Sequence, residues 1–232
     1  MGQKITIPSV DKNRRISAYQ AAPEHKPKAV IVVIPEIFGI NEGIRLRVDR
    51  WAKAGYWAIA ADIFWNIAPD VELDPDIPEQ MQQAMAYYQK LENKEALMTI
   101  EAAIAYARSQ QPDSKIATVG YYLGGFLSFL LAAEEKVEAA VCYYGVDIDQ
   151  NLSAMKANHP PIMLHFGDQD NFVSEAAIKV IHSAFQNQPD ALFYLYSDAG
   201  HGFATEKGKR RAEKAARLAD QRSFDFIERV LS

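Results

Sequence analysis

The alternation of hydrophobic and polar residues predicts where the strands of this chain lie. "KITIPS" and "RISAYQAA" alternate and are separated by the polar "VDKNR", which is typical of an edge hairpin. "AVIVVIP", residues 29–35, and "GYWAIAADIF" are continuous apolar runs, which indicate strands buried on both faces of a parallel sheet. Further strands are predicted in "KIATVGYY", "VEAAVCYYG", "PPIMLHFGDQD" and "ALFYLYSDAGHGF".

The segments between these strands have helical periodicity. Asn93 and Ser174 are predicted N-caps, because their short polar side chains precede amphipathic runs. Helices are predicted over residues 45–54, "PEQMQQAMAYYQKL", "NKEALMTIEAAIAYARSQ", "GGFLSFLLAAE", "SEAAIKVIHSAFQ" and about residues 209–230. Strands that alternate with helices predict an α/β fold, with a mainly parallel sheet covered by helices on both faces. The 232 residues contain no linker-like composition, so we expect one domain over residues 1–232.

Composition and charge argue against several classes of partner. The formal net charge is −5, whereas a nucleic-acid-binding domain is usually basic, so no nucleic-acid partner is expected. No apolar run is long enough to span a bilayer and the N-terminus lacks the apolar region of a secretory signal. The single cysteine rules out an intrachain disulfide, so the chain is expected to be cytoplasmic. No membrane partner is expected, and the chain is expected to be a monomer or weak homodimer. One basic cluster is interpreted as the solvated start of the last helix: Lys207, Lys209, Arg210 and Arg211.

Residues with catalytic chemistry follow four of the predicted strands. In parallel sheets ligands bind at the carboxyl ends of strands, where the chain has Glu36, Tyr122, Asp168 with Asp170, and His201. The order of the last three positions, with Tyr122 in the place of a nucleophile, is that of the triad of α/β-hydrolases. No set of residues has the spacing of metal ligands, and no dinucleotide or phosphate-binding fingerprint occurs, so neither a metal nor a cofactor is expected.

The stretch "TVGYYLGGFLSF" has the pattern of a strand-to-helix elbow. Gly120 and Gly124 lie two residues on either side of Tyr122, where crowding permits only small residues, and Gly125 allows close packing of the helix. The backbone N–H groups of Leu123 and Ile37 are the expected donors of an oxyanion hole. The elbow therefore predicts a hydrolase site, although a tyrosine occupies its centre.

Five motifs together resemble the dienelactone hydrolase family from about residue 15 to the C-terminus. They are "PEIFGIN", "VGYYLGG", "CYYGV", "HFGDQDNFV" and "AGHGFA". The resemblance implies an α/β-hydrolase fold and the hydrolysis of a small-molecule ester or lactone. The family uses a cysteine nucleophile, a histidine, an aspartate and a glutamate that interacts with the thiol; the matching positions are Tyr122, His201, Asp170 and Glu36. The family's oxyanion donors match Ile37 and Leu123, and the implied substrate-binding positions are Phe38, Tyr144 and Thr205.

The chain departs from the family pattern at the nucleophile and at the groups that bind the substrate carboxylate. Tyr122 stands where the family has cysteine. Thr205 stands where members active on dienelactones have an arginine, and residues 75–90 contain no second arginine. These losses argue against a muconolactone-type substrate independently of the nucleophile.

Several assignments have alternatives. The family match favours Asp170 over Asp168, which would otherwise be a turn residue, and Glu36 would otherwise be a loop carboxylate. Cys142 lies within an apolar strand, where a cysteine is usually an inert packing residue, so we reject it as a displaced nucleophile.

Tyr122 itself leaves three readings open. The chain is a scaffold with weak or absent covalent catalysis, a hydrolase in which His201 activates water, or a non-catalytic binding or regulatory protein that reuses the cleft. We favour weak or absent covalent catalysis, because a phenol with a pKa of about 10 is a poor nucleophile. The length of the side chain would also carry its oxygen past the oxyanion hole and bring its ring, not its oxygen, to His201.

Overall fold

A computed structural model describes residues 2–156 and 158–232 of the chain, which divides into two compact units, Met1–Ile116 and Ala117–Ser232. Both units contain parallel strands that are connected by helices, as the sequence pattern predicts. The expectation of a single domain stays a prediction. Within the described residues, no helix is both long and apolar enough to cross a bilayer.

In the first unit the strand order is β1-β2-β4-β3. The hairpin of β1 and β2 is antiparallel, β2 also pairs antiparallel with β4, and β3 runs parallel to β4. Every residue of β3 and β4 is buried; since successive side chains point to opposite faces, both faces of these strands are covered. The bounds are β1 Gln3–Pro8, β2 Arg15–Ala21, β3 Val30–Ile34, β4 Trp57–Ala61, α1 Glu42–Lys53, α2 Pro78–Tyr88 and α3 Asn93–Gln110.

The second unit contains four parallel strands in the order β5-β6-β7-β8. Because all four run in the same direction, their carboxyl ends lie at one edge of the unit, and the loops that follow them can meet there. The bounds are β5 Ile116–Tyr121, β6 Ala139–Tyr143, β7 Ile162–Gln169, β8 Ala191–Gly200, α4 Leu123–Ala133, α5 Glu175–Phe185, α6 Glu213–Leu231 and a short 3-10 helix at Asp149–Ala154.

One of the two predicted N-caps is confirmed and the other is wrong. The Ser174 side chain accepts the N–H of Ala177 at 3.2 Å. The cap of α3 is Glu92, which has an extended backbone, and Asn93 is the first helical residue. The carbonyl of Glu92, not a side chain, accepts the N–H groups of Glu95 and Ala96.

The last helix begins at Glu213, four residues later than predicted. The N–H of Ala212 donates to the carbonyl of Phe203 at 2.9 Å, so the chain is held to the preceding loop until just before the helix. The basic cluster at residues 207–211 therefore lies in the connection and not in the first turn of α6.

The turn from β5 to α4 has the predicted elbow conformation. Tyr122 has φ 54° and ψ −115°, a backbone region that is costly for a bulky side chain. Its N–H donates to the carbonyl of Tyr143 at 3.0 Å. An added Cβ would lie 1.8 Å from the carbonyl oxygen of Gly124 at Gly120, and 2.6 Å from that of Tyr143 at Gly125. Both glycines are therefore required for the close approach of α4 to β5 and β6.

A buried polar network ties α6 to three strands of the second unit. The two ring nitrogens of His165 bond to the Tyr196 hydroxyl at 2.9 Å and to Ser223 Oγ at 3.0 Å. Ser223 Oγ also lies 2.7 Å from the hydroxyl of Tyr143, which in turn donates to Asp220 at 3.2 Å. The carbonyl of Tyr143 accepts the N–H of Tyr122, so this network fixes the position of a residue that holds the elbow.

Replacement of Tyr122 by glycine should be less destabilising than replacement by alanine. Both changes remove the ring, but only glycine adopts this backbone without strain. The free energy of unfolding of the glycine variant should therefore exceed that of the alanine variant by about 1 kcal/mol. Urea denaturation of Tyr122→Gly and Tyr122→Ala measures this difference. An alanine variant as stable as the glycine variant would show that the elbow is not strained.

Stability should fall as the pH falls below about 6.5, in part because of His165. Burial, and then the charge of Arg222, lowers the pKa of His165 from 6.5 to about 3. Between these values the unfolded chain binds a proton that the folded protein excludes, so acid favours unfolding. A shift of this size corresponds to about 2 kcal/mol between pH 7.5 and pH 5.

Urea denaturation of the native protein and of His165→Gln at both pH values checks this, with the variant showing the smaller loss. His182→Asn is the matched control, since His182 is exposed on α5 and its replacement should leave the pH dependence unchanged. A charged His165 at pH 5, detected by its imidazole NMR shifts, would contradict the prediction.

Candidate active site

His201 and Asp170 form a hydrogen-bonded pair at the carboxyl ends of β7 and β8. His201 Nδ1 lies 2.8 Å from Asp170 Oδ2 and 3.0 Å from Oδ1. The side chains are only 6% and 0% exposed, respectively. An ionised carboxylate accepts hydrogen bonds and cannot donate them, so Nδ1 carries the proton and donates it. Nε2 is then the basic nitrogen, and it has no hydrogen-bond partner among the described residues.

The loop after β7 holds the Asp170 carboxylate in place. Its Oδ1 accepts the backbone N–H of Phe172 at 2.8 Å and that of Val173 at 2.9 Å. Asp168, the alternative acid, is exposed on β7. Of the two candidates, the structure brings Asp170 to His201.

The ring of Tyr122 contacts His201 edge-on. The ring centroids are 4.8 Å apart and the planes cross at 85°. Tyr122 is buried, with 6% of its surface exposed. As expected from the length of the side chain, the imidazole of His201 contacts the aromatic ring of Tyr122.

Two further aromatic rings enclose the imidazole of His201. Tyr144, fully buried with φ 38°, lies 5.1 Å from it between ring centroids. Phe172 lies 4.6 Å from it and 5.7 Å from the ring of Tyr122, and half of its surface is exposed. Phe172 was missed by the sequence analysis; its place two residues after Asp170, in "DQDNF", was the available signal. The rings give the surroundings of His201 an apolar character.

Leu123 and Thr205 present polar groups in the same unit. Leu123 is the first residue of α4, and its N–H has no hydrogen-bond acceptor within the described part of the chain. Thr205 donates its N–H to the carbonyl of Gly202 at 3.0 Å and accepts from Arg211 through its own carbonyl at 2.7 Å. Its buried hydroxyl has no partner among the described residues. That Thr205 occupies a substrate-binding position stays a prediction.

The other three predicted site residues belong to the first unit. Glu36, Ile37 and Phe38 follow β3 directly, and all are buried, with 7%, 3% and 3% of their surfaces exposed. Glu36 therefore lies at the carboxyl end of a strand that is buried on both faces, as predicted from the sequence. That these residues lie beside Tyr122 stays a prediction.

Cys142 has the properties of an inert packing residue. It is completely buried within β6, and burial raises the pKa of its thiol to about 12. Thiolate formation is thus strongly disfavoured at neutral pH. Among residues 2–156 and 158–232, no group of three or more His, Cys, Asp and Glu side chains is arranged to hold a metal ion.

Comparison with known proteins identifies relatives over nearly the whole chain. Residues 16–231 match the model of the dienelactone hydrolase family. The carboxymethylenebutenolidase of Pseudomonas putida is 36% identical over 224 residues, which cover 96% of this chain and 94% of that protein. Carboxymethylenebutenolidase 1 of Cupriavidus pinatubonensis is 30% identical and covers 92% and 91% of the two chains.

The crystal structure of a dienelactone hydrolase from Anabaena variabilis superposes with a TM-score of 0.74 at 14% identity, over 100% of this chain and 99% of that one. This similarity shows the α/β-hydrolase fold. The match of the family model and the identity to the two carboxymethylenebutenolidases establish that the chain belongs to the dienelactone hydrolase family.

Proposed function

We propose that this protein is a hydrolase of small, uncharged esters or lactones in which Tyr122 strongly limits covalent catalysis. The hydrogen bond between Asp170 and His201 carries this proposal. Histidine held in one tautomer by a buried carboxylate is the acid–base unit of hydrolases that attack acyl groups. Nε2 of His201 is left to accept a proton from an attacking group.

The free N–H of Leu123 supports acyl chemistry beside this pair. It lies at the N-terminus of α4, where the helix dipole favours negative charge. In the proposal it donates to the oxyanion of the tetrahedral intermediate, and the N–H of Ile37 supplies the second donor. Glu36 takes the family's role beside the nucleophile position.

Because position 122 holds no cysteine and Cys142 is buried, water is the remaining nucleophile for slow turnover. In this step Nε2 of His201 accepts a proton from water as the water oxygen bonds to the carbonyl carbon. The intermediate collapses with cleavage of the bond to the leaving oxygen, and His201 returns the proton to that oxygen. The products are a carboxylic acid and an alcohol, or a hydroxy acid from a lactone.

An uncharged substrate follows from the groups present around His201. Thr205 stands where an arginine would pair with a substrate carboxylate, and residues 75–90 contain no arginine. Tyr144 and Phe172 present aromatic surface instead. Apolar surface of this kind favours uncharged groups, because an unpaired carboxylate would lose its hydration there.

A non-catalytic role as a binding or regulatory protein is the second candidate. The three aromatic rings around His201 can hold a small apolar ligand whether or not a nucleophile is present. Native mass spectrometry of the purified protein distinguishes the two roles. A retained ligand together with no turnover of esters would support the binding role, and multiple turnovers of an ester would exclude it.

Introduction of a cysteine at the elbow should increase hydrolysis greatly. Tyr122→Cys places a thiol close to the backbone of the elbow, within reach of His201 and the oxyanion donors in this proposal. We therefore expect activity on p-nitrophenyl acetate to rise by about 100-fold or more. His201→Ala in the same background should then lower activity by about 100-fold or more, since it removes the base. Both are measured by release of p-nitrophenol.

Cys142→Ala in the Tyr122→Cys background is the matched control and should leave activity unchanged. Thiol titration of that double variant should find one reactive cysteine, at position 122. A folded Tyr122→Cys protein without increased activity would refute the idea that the rest of the site is intact. An acyl adduct on Tyr122 in the native protein would refute the limit that we assign to the phenol.

A further inference from the structure

A cavity lies in the first unit, on residues that the proposed hydrolase chemistry does not use. It has a volume of about 130 Å³ and lies where the β1–β2 hairpin, the loop after β4 and the start of α3 meet. A cavity of roughly 150 Å³ holds benzene in another protein, so this one has room for a single ring.

Apolar side chains form the floor and the rim of the cavity. Ile16 and Ile63 in the floor are almost completely buried, at 1% and 2% exposure. Val10 and Met98 also line it and are 50% and 44% exposed, so this part of the lining faces solvent. Exposed apolar side chains around a concave site are typical of a surface that a ligand covers.

Trp65 forms a fixed aromatic wall. Its indole Nε1–H donates to Thr99 Oγ1 at 3.0 Å, and the Thr99 hydroxyl donates to the carbonyl of Glu95 at 2.9 Å. The edge of the indole is thereby anchored to α3. A wall that is ordered before binding lowers the entropic cost of holding a ligand.

One arginine at the rim supplies a positive charge. The guanidinium carbon of Arg14 lies 4.3 Å from the centroid of the Trp65 ring, and Nη1 donates to the side-chain oxygen of Asn66 at 3.1 Å. Arg14 is exposed and makes no ion pair among the described residues, although its charge, in addition to the hydrogen bond from Ser9, contributes to the lowered pKa of Asp11. Its planar fork therefore keeps donors for a ligand. This fork matches the geometry of a carboxylate.

Two acidic residues at the rim set a limit on the charge of the ligand. Asp11 already accepts hydrogen bonds from the Ser9 hydroxyl and the Asn13 N–H. Glu95 is exposed at the start of α3 and also lines the cavity. Both negative charges oppose the binding of an anion, so they repel a ligand with two carboxylates more strongly than a ligand with one, whose charge Arg14 can pair.

We propose that this cavity binds small aromatic monocarboxylates of the benzoate type. The ring lies against Trp65, Ile63 and Met98, and the carboxylate pairs with the guanidinium of Arg14. The site is separate from His201 and does not depend on the function proposed there, because every residue that lines it lies in the first unit.

Titration of the native protein with sodium benzoate tests the proposal. NMR should show saturable shifts of the Trp65 indole N–H and the Met98 methyl group, with a Kd of about 1 mM or lower. Benzamide, which has nearly the same shape without the charge, and phthalate, which has a second carboxylate, should each bind at least about fivefold more weakly. Shifts of the His201 ring report any binding at the hydrolase site separately.

Arg14→Met should weaken benzoate binding at least about fivefold, because it keeps much of the apolar stem and removes the charge. Arg15→Met is the matched control: Arg15 is exposed, bonds to Thr6 and does not line the cavity, so its replacement should leave the Kd unchanged. The proposal is overturned by the absence of saturable shifts at Trp65, by equal affinities for benzoate and benzamide, or by equal effects of the two arginine variants.

Discussion

The backbone of Tyr122 is the constraint on which the second unit depends. Its φ of 54° turns the chain from β5 directly into α4, and its N–H is held by the carbonyl of Tyr143 on β6. The turn brings backbone so close that Gly120 and Gly125 have no room for a Cβ. A conformation of this cost persists only where the surroundings enforce it, and here the network behind Tyr143 contributes, through Ser223 on α6.

The elbow thus keeps its strained backbone although a tyrosine occupies its centre. Retention has a structural reason, since the glycines and the strained backbone determine how α4 packs, whatever side chain projects from position 122. The acid–base pair has a separate basis in the loops after β7 and β8, where two backbone N–H groups and the His201 imidazole bind the Asp170 carboxylate. The hydrogen bonds that hold this pair are therefore made by residues other than Tyr122.

Burial decides the character of the titratable groups in this unit. Cys142 and His165 are completely buried, and burial favours the neutral form of each. The pKa of Cys142 is raised to about 12 and that of His165 is lowered to about 3. Both are consequently unsuited to proton transfer at neutral pH, although a thiol and an imidazole are chemically the most reactive side chains available. Asp170 and His201 are hydrogen-bonded to each other at the ends of the strands, next to Phe172, which is half exposed to solvent.

Hydrophobic patterning by itself determined the buried strands β3 and β4, the β1–β2 hairpin and the elbow, because these depend on local periodicity and on glycines at fixed spacing. Residue order and motif spacing also singled out Asp170 and His201 as candidates, and they identified the family. The tertiary structure decided in favour of Asp170, as the family match had indicated, because the path of the loop after β7 brings this carboxylate to His201. It likewise decided that α6 begins at Glu213, through a backbone bond from Ala212 to Phe203, and that Phe172 and Tyr144 enclose the imidazole. Contacts of this kind join residues distant in the chain, and no local pattern encodes them.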